Sequence, residues 1–480
     1  MNRIETDFLG EMEIPKDALY GISTLRSIAN FPNSKKYSFE WYKAIGEVKY
    51  ASYLVVKDLY LLLQAKNKLN EKKIFNEFSI EKIDALIFAA FEVSRGRYFD
   101  HMMVPAITGG AGTSINMNIN EIISNIALLK MGYSAGEYKY IDPILHANVF
   151  QSTNDTIPTA LRVAVMRLLK KLESNISQTR NLLEKLEEDY RHTMRISYTQ
   201  LQEAIPTTWG RLFSTYNEAL TRDWWRVSKC WERIKVVNLG GGAIGSGLSI
   251  PRYFIFHATE KLAKQTNLPI VRSENLQDVT CNLDMWVEIH AILKANAVNL
   301  IKIASDLRLL ASDFHKNHEI TIPTKQMGST IMPGKVNPVI CEYVISISEK
   351  IFANDLLIAH LCSQGQFELN AYLPLIGDTI IESLELLNSS LLTINKNLIN
   401  EIKINPILDT FLNFPVIATI VIPEVGYHEA TRLANFMKNN QVDIIVANQK
   451  LNIIDETKLI KLIENSKSLE LGYSLAPASN

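Results

Sequence analysis

M-G-S-T-I-M-P-G-K-V-N-P, residues 327–338, runs into V-I-C-E-Y-V-I-S-I-S-E-K-I, residues 339–351, and the fold is read from this junction. The first twelve residues hold two glycines, two prolines, two hydroxyls, one lysine and one asparagine. After them the apolar residues Ile340, Tyr343, Val344, Ile347 and Ile351 recur at steps of three and four, the spacing of a helix face. Asn337 is expected as the N-cap and Pro338 as the first helical residue. A polar loop delivered at a helix start offers backbone N–H groups and a partial positive charge to an anion, and Lys335 adds a full charge. Ser329 and Thr330 supply hydroxyls that can bond a substrate or take a proton. Read alone, such a loop is an ordinary connector.

The same device recurs upstream. T-G-G-A-G-T-S-I-N-M-N (108–118) precedes a helix expected from about Ile119 to Lys130. N-V-F-Q-S-T-N-D (148–155) precedes a long helix expected to open at Pro158 and reach about Thr193. Three loops of this kind suit a small substrate with more than one carboxylate, although Ser, Thr and Asn also serve as plain helix caps. The glycine run N-L-G-G-G-A-I-G-S-G-L (238–248) has a superficial dinucleotide look, but the apolar strand before it and the acidic residue after it are poorly placed for that fingerprint, so it reads as structural turns.

Helical periodicity covers most of the remainder. It starts at Phe39, with Tyr42, Ile45, Val48, Ala51 and Leu54 on one side, and recurs over Lys82–Ser94, Leu212–Lys235, Val339–Leu361 and Pro374–Asn400. Met285–Ser312 is apolar on nearly every face and is expected to be buried in a bundle. Ser197–Pro206 reads as extended. With few alternating runs, the fold class is all-α, mainly helical. Helices of about thirty residues make a bundle ~45 Å long. The excess of apolar surface suggests that bundles of several subunits pack together. The tail from 401 reads as a smaller helical unit.

The chain has 480 residues, 47% hydrophobic and 21% charged, with a formal net charge of -1, which favours neither nucleic acid nor an anionic membrane as partner. Cys230, Cys281, Cys341 and Cys362 are far apart with no Cys-x-x-Cys, so reduced cytosolic thiols are expected rather than a zinc site or a disulfide framework. No basic and apolar leader opens the sequence. The apolar stretch Phe411–Ile422 is broken by Asn413 and Pro415 and falls short of the ~20 residues of a membrane span. A cytoplasmic protein is expected. The nine histidines show no metal-ligand spacing; His315 and His318 are assigned to a solvated loop.

G-S-T-I-M-P-G-K-V-N-P resembles the signature loop of the aspartase/fumarase superfamily, written G-S-S-x-M-P-x-K-x-N. G-G-A-G-T-S-I-N-M-N-I-N-E (109–121), Q-S-T-N-D-T-I-P-T-A (151–160), T-Q-L-Q-E-A-I-P (199–206), G-A-I-G-S-G-L (242–248), F-E-L-N (367–370) and the G-Y-x-x-A stretch at 426–430 resemble its other blocks, in order. Within it, Y-G-I-S-T-L-R-S-I-A-N-F (20–31) and Y-T-Q-L-Q (198–202) are more similar to the aspartase branch; fumarases usually carry histidine where Gln200 stands.

The resemblance implies three mainly helical domains, at 1–140, 141–396 and 397–480. It also implies a tetramer around a twenty-helix core, with each active site built from three subunits. It implies an aspartate ammonia-lyase: anti elimination of ammonia from aspartate to give fumarate, through an aci-carboxylate intermediate, with no cofactor and no metal. Ser329 matches the general base, a poor base unless its oxyanion is stabilised by loop N–H groups and Lys335. Thr113, Ser152, Thr153 and Thr330 match donors to the carboxylate that takes up the charge. Lys335 and Asn337 match the other carboxylate's holders, Thr199, Gln200 and Asn154 the positioning of the amine, and Met332 a further substrate contact. Glu342 matches a carboxylate supporting Gln200. Fumarase, another fumarate-producing lyase, or a non-catalytic binding protein on the same scaffold are the alternatives. Tyr198 departs from the superfamily's usual arginine, Asp313-Phe314-His315 from its G-P-R, Thr330 from a second serine, and Thr108 from a glutamine.

Overall fold

The computed structural model describes residues 2–314, 319–405, 411–464 and 472. His315 and His318 lie outside them. The described chain is mainly helical, with strands only in four two-stranded pairs. It divides into two compact units. The first comprises Met1–Ser174, Trp225–Ala297 and Ile347–Ser389; the second comprises Asn175–Trp224, Val298–Ser346 and Ser390–Asn480. Five long helices, α5 (Thr153–Asp189), α6 (Trp209–Ile234), α9 (Asp284–Leu310), α10 (Val339–Cys362) and α11 (Leu373–Asn397), contribute residues to both.

The first unit is built on α2 (Phe39–Ala65), which packs on α3 (Ile80–Ser94) and on α7 (Arg252–Thr266); α3 in turn meets α4 (Thr113–Lys130). Ser38 caps α2 by accepting the N–H of Trp41 at 3.3 Å. Trp41, Tyr42, Ile45, Val48 and Tyr53 are buried, so α2 is enclosed on more than the one stripe that its periodicity suggests. Gly46 permits the closest approach: a Cβ there would lie 2.4 Å from the backbone nitrogen of Ser94 at the end of α3.

The second unit contains a feature the sequence reading missed. Ser197–Pro206 is not simply extended: β3 (Met194–Thr199) and β4 (Gln202–Thr208) form an antiparallel hairpin, with Thr199 opposite Gln202. The turn residues Gln200 and Leu201 have φ of 54° and 61°. Two left-handed residues in a two-residue hairpin make a type I′ turn, which ordinarily selects Asn-Gly. Gln-Leu carries no such signal, so the turn was not legible. The tail gathers its own apolar cluster, with Phe411, Ile417, Val421, Leu433, Ile444 and Leu459 buried together, and Ile196 of β3 joins it.

Burial also departs from expectation along α9. Ile289, Leu293, Ala297, Leu300 and Leu307 are buried, but Val298 and Leu309 are about half exposed, so within one chain this helix keeps an open apolar face.

Candidate active site

In the first unit two of the three polar loops come together. Helix α4 begins at Thr113, six residues before the expected start, directly after the 3-10 turn Gly110–Gly112. The asparagines that made this stretch look like loop have tertiary partners that hold them in a helix. Asn116 Nδ2 donates to Asn148 Oδ1 (3.0 Å) and to Thr153 Oγ1 (3.2 Å), and Asn120 Nδ2 donates to Asn148 Oδ1 (3.2 Å). Asn118 Oδ1 accepts the N–H groups of Met103 and Val104 at 2.9 and 3.2 Å. Thr113 stands exposed at the first position of the helix.

Helix α5 likewise begins at Thr153, not at Pro158. Ser152 caps it reciprocally: its Oγ accepts the N–H of Asn154 (3.2 Å), and its own N–H donates to Asp155 Oδ1 (2.9 Å). Pro158 sits in the second turn and has no N–H for the carbonyl of Asn154. Asn238 Nδ2 donates to that carbonyl instead, at 2.9 Å. Asn154 Nδ2 donates to the carbonyl of Ala243 (2.7 Å), and the N–H of Gly242 to Asp155 Oδ2 (2.9 Å). The glycine-rich run 238–248 therefore clasps the start of α5. Ser152 and Thr153 each accept a hydrogen bond through their hydroxyl oxygens. Among the described residues neither hydroxyl donates, so both protons are available to an anion.

Two buried ionisable groups that sequence reasoning missed lie under this helix start. Lys49 on α2 is fully buried and donates to Gln151 Oε1 at 3.0 Å; burial pushes its ammonium down to about 7. Asp155 is also fully buried. Burial pushes its carboxyl up to about 6, against the pull of the Ser152 and Gly242 N–H groups, the Thr156 hydroxyl and the Lys49 charge.

The second unit carries the remaining candidates. The loop 327–338 is closed at its neck by two hydrogen bonds: Gly328 N–H to the carbonyl of Lys335 (3.0 Å) and Asn337 Nδ2 to the carbonyl of Gly328 (2.6 Å). A Cβ at position 328 would lie 2.5 Å from the Lys335 oxygen, so only glycine permits this neck. Among the described residues Asn337 Oδ1 accepts no N–H from α10, and its Nδ2 is turned to the carbonyl of Gly328. The carbonyl of Pro338 instead accepts the first helical bond, from Glu342 N–H at 3.1 Å. Inside the loop, Ser329 Oγ accepts the N–H groups of Ile331 (3.2 Å) and Met332 (2.9 Å). Ser329 is half-buried, and Thr330, Met332 and Lys335 are exposed.

Thr199 and Gln200 are exposed at the hairpin tip, and Tyr198 Oη donates to Glu319 Oε1 at 3.2 Å. Glu342 pairs with Arg308 at 3.5 Å, and among the described residues no hydrogen bond joins it to Gln200.

One constellation has catalytic residue types without catalytic access. His290 places Nε2 2.9 Å from Ser383 Oγ and Nδ1 3.1 Å from Asp355 Oδ1. His290 and Ser383 are fully buried, and the Ser383 hydroxyl donates to the carbonyl of Thr379 at 2.9 Å. This triad packs helices. Among the described residues no three His, Cys, Asp or Glu side chains form a metal-binding group, and no helix is long and apolar enough to cross a membrane.

Comparison with known proteins adds the following. A family model described as lyase matches residues 10–353. The chain is 37% identical to the aspartate ammonia-lyase of Bacillus sp over 436 residues, 90% of either chain. It is 37% identical to that of Escherichia coli (strain K12) over 433 residues, 89% of this chain and 87% of the relative. Among solved structures it is similar to a fumarate lyase:delta crystallin from Brucella melitensis bound to cobalt, with a TM-score of 0.89 at 31% identity, covering 98% of this chain and all of that one. It is also similar to a class II fumarase from Schistosoma mansoni, with a TM-score of 0.86, covering 98% of this chain and 99% of that one; at 23% identity that likeness speaks to the fold alone.

Proposed function

The chain belongs to the lyase family, as a divergent member of the aspartase/fumarase superfamily, and from that premise we propose that it is a carbon–nitrogen lyase that eliminates ammonia from L-aspartate to give fumarate. One observation carries the mechanism: the two N–H groups, of Ile331 and Met332, aimed at Ser329 Oγ. A serine alkoxide is too basic to form in water, but two preorganised donors and the nearby Lys335 favour it. Ser329 removes the proton from the carbon next to one carboxylate, and the electron pair moves into that carboxylate. The charge collapses back as the carbon–nitrogen bond breaks and ammonia leaves.

The hydroxyls of Thr113, Ser152, Thr153 and Thr330 are assigned to the carboxylate that takes up the charge. Lys335, Asn337 and Met332 are assigned to the rest of the substrate, and Thr199, Gln200 and Asn154 to the amine. Glu342 is assigned to the support of Gln200. The chain works as a homotetramer whose subunits share each site. The open apolar face of α9 supports this reading. Four unpaired cysteines suit a reducing cytoplasm.

The test is ultraviolet absorbance of fumarate on adding aspartate or malate, run on wild type and Ser329→Ala. Release from aspartate that disappears in the variant is expected. Turnover of malate alone would favour the second reading, fumarate hydration, which the likeness to a solved fumarate lyase supports. A monomer by light scattering would refute the tetramer.

A further inference from the structure

Within the second unit a cavity of about 820 Å³ lies among the β3–β4 hairpin, the first turns of α6 and the last turns of α9. Its walls are mostly apolar, with Leu201, Leu212, Leu310 and Phe314 among the lining residues. Arg195 of β3 also lines it and is only 5% exposed. Among the described residues its guanidinium makes no hydrogen bond and no ion pair, and its Nε is a buried donor without a partner. It lies 4.6 Å from the ring centre of Trp209 and 5.9 Å from that of Tyr198. Glu319 and Asp306 stand near enough to favour its charge, but neither forms an ion pair with it. Asp306 accepts from Tyr216 Oη at 2.8 Å and pairs with Lys302, and Glu319 accepts from Tyr198.

A buried guanidinium with five unspent donors is costly, because each charged hydrogen bond forgone is worth about 1.5–3 kcal/mol. Stacking on Trp209 orients it but gives its N–H groups no acceptor. What satisfies them is a planar anion met edge-on. The lining also includes Arg211 and Lys302, but most of the wall area is apolar, which suits an anion that carries a hydrocarbon body. Both main departures from the superfamily pattern, Tyr198 and Phe314, line this one cavity.

We propose that this cavity binds a monocarboxylate with an apolar body, its carboxylate on the Arg195 guanidinium and its hydrocarbon against Leu201, Leu212, Leu310 and Phe314. The cavity borders the proposed elimination site through Gln200, which also lines it, but the grip of Arg195 on a carboxylate does not rest on that chemistry.

The probe is octanoate, titrated calorimetrically into the full-length protein, with octanol as the neutral isostere and fumarate as the dicarboxylate competitor. Saturable octanoate binding is expected, with octanol at least about tenfold weaker. Arg195→Met is expected to weaken octanoate by about tenfold or more; such a replacement of a buried charge by an apolar side chain is usually tolerated by the fold. Leu212→Trp fills the cavity without touching Arg195 and is expected to weaken octanoate and octanol together. Ser329→Ala is expected to bind octanoate like wild type. Absence of octanoate binding, equal affinity for octanol, undiminished binding in both cavity variants, or displacement of octanoate by fumarate would each overturn the proposal.

Discussion

The start of α5 and the loop 327–338 are both polar loops delivered at a helix start, yet they are held in opposite ways. Residues 152–155 bond to Asn116 and to Asn238, Gly242 and Ala243, from two distant parts of the sequence, over buried Lys49 and Asp155. The loop 327–338 is held by its own residues, two bonds across the neck and two onto Ser329 Oγ. The first is preorganised by the fold and can fix a carboxylate without further ordering. The second keeps its internal geometry while its rim, with Met327, Ile331 and Lys335, stands in solvent.

The largest expected effect tests the self-held loop. Ser329→Ala removes the acceptor of two N–H groups and the proposed base, and ammonia release should fall roughly 10²–10⁴-fold with the fold intact by circular dichroism. Retained activity would leave the loop as mere structure.

Next is the fold-held helix start. Lys49→Met removes the donor to Gln151 Oε1 beneath the helix start and should cost about 1–3 kcal/mol in denaturant unfolding, because a part-buried acceptor loses its partner. The pH dependence sharpens the point. Lys49, held down to about 7, binds fewer protons when folded than when unfolded, so its contribution to stability grows as pH rises from about 7 toward 10.5. Asp155, held up to about 6, binds more when folded, so its contribution is present below 3.8 and is lost as pH rises through 6. Lys49→Met should abolish the alkaline gain. An unchanged pH profile would place Lys49 in water.

Asn337→Ala opens half of the neck and should cost about 1 kcal/mol locally. Faster hydrogen exchange at Gly328 N–H with global stability unchanged is the expected outcome; a global loss would show that the loop is not self-held. The smallest effect is at the hairpin turn. Leu201→Gly removes a left-handed strain of about 1–2 kcal/mol at the price of a more flexible unfolded chain, and a gain under 1 kcal/mol in thermal unfolding is expected.

Much of this was legible because it is periodic. The long helices follow three- and four-residue spacing, and the Ser329 loop carries an unusual density of Gly, Pro, Ser and Thr. What escaped depends on partners distant in sequence. Lys49 reads as surface because a pattern of one buried stripe leaves its position facing water, whereas α2 is enclosed on several sides. Asn337 reads as a cap, but its Nδ2 is drawn to the carbonyl of Gly328 across the loop neck. Asn116 and Asn118 read as loop residues because their helix is favoured by neighbours such as Asn148 and Met103. The Gln-Leu turn has no local signal at all.

The carbonyl of Asn154, left open by Pro158 and taken by Asn238, has a consequence for the order of folding. The longest helix of the described chain cannot complete its first turns from local bonds; it must wait for a residue 84 positions downstream. Helix α5 should therefore nucleate in its middle, beyond Pro158, and its start should close late, only when the 238–248 run docks. The residues proposed to grip the substrate would then be among the last to acquire their geometry, so a chain that has collapsed but not docked that run would be helical and inactive.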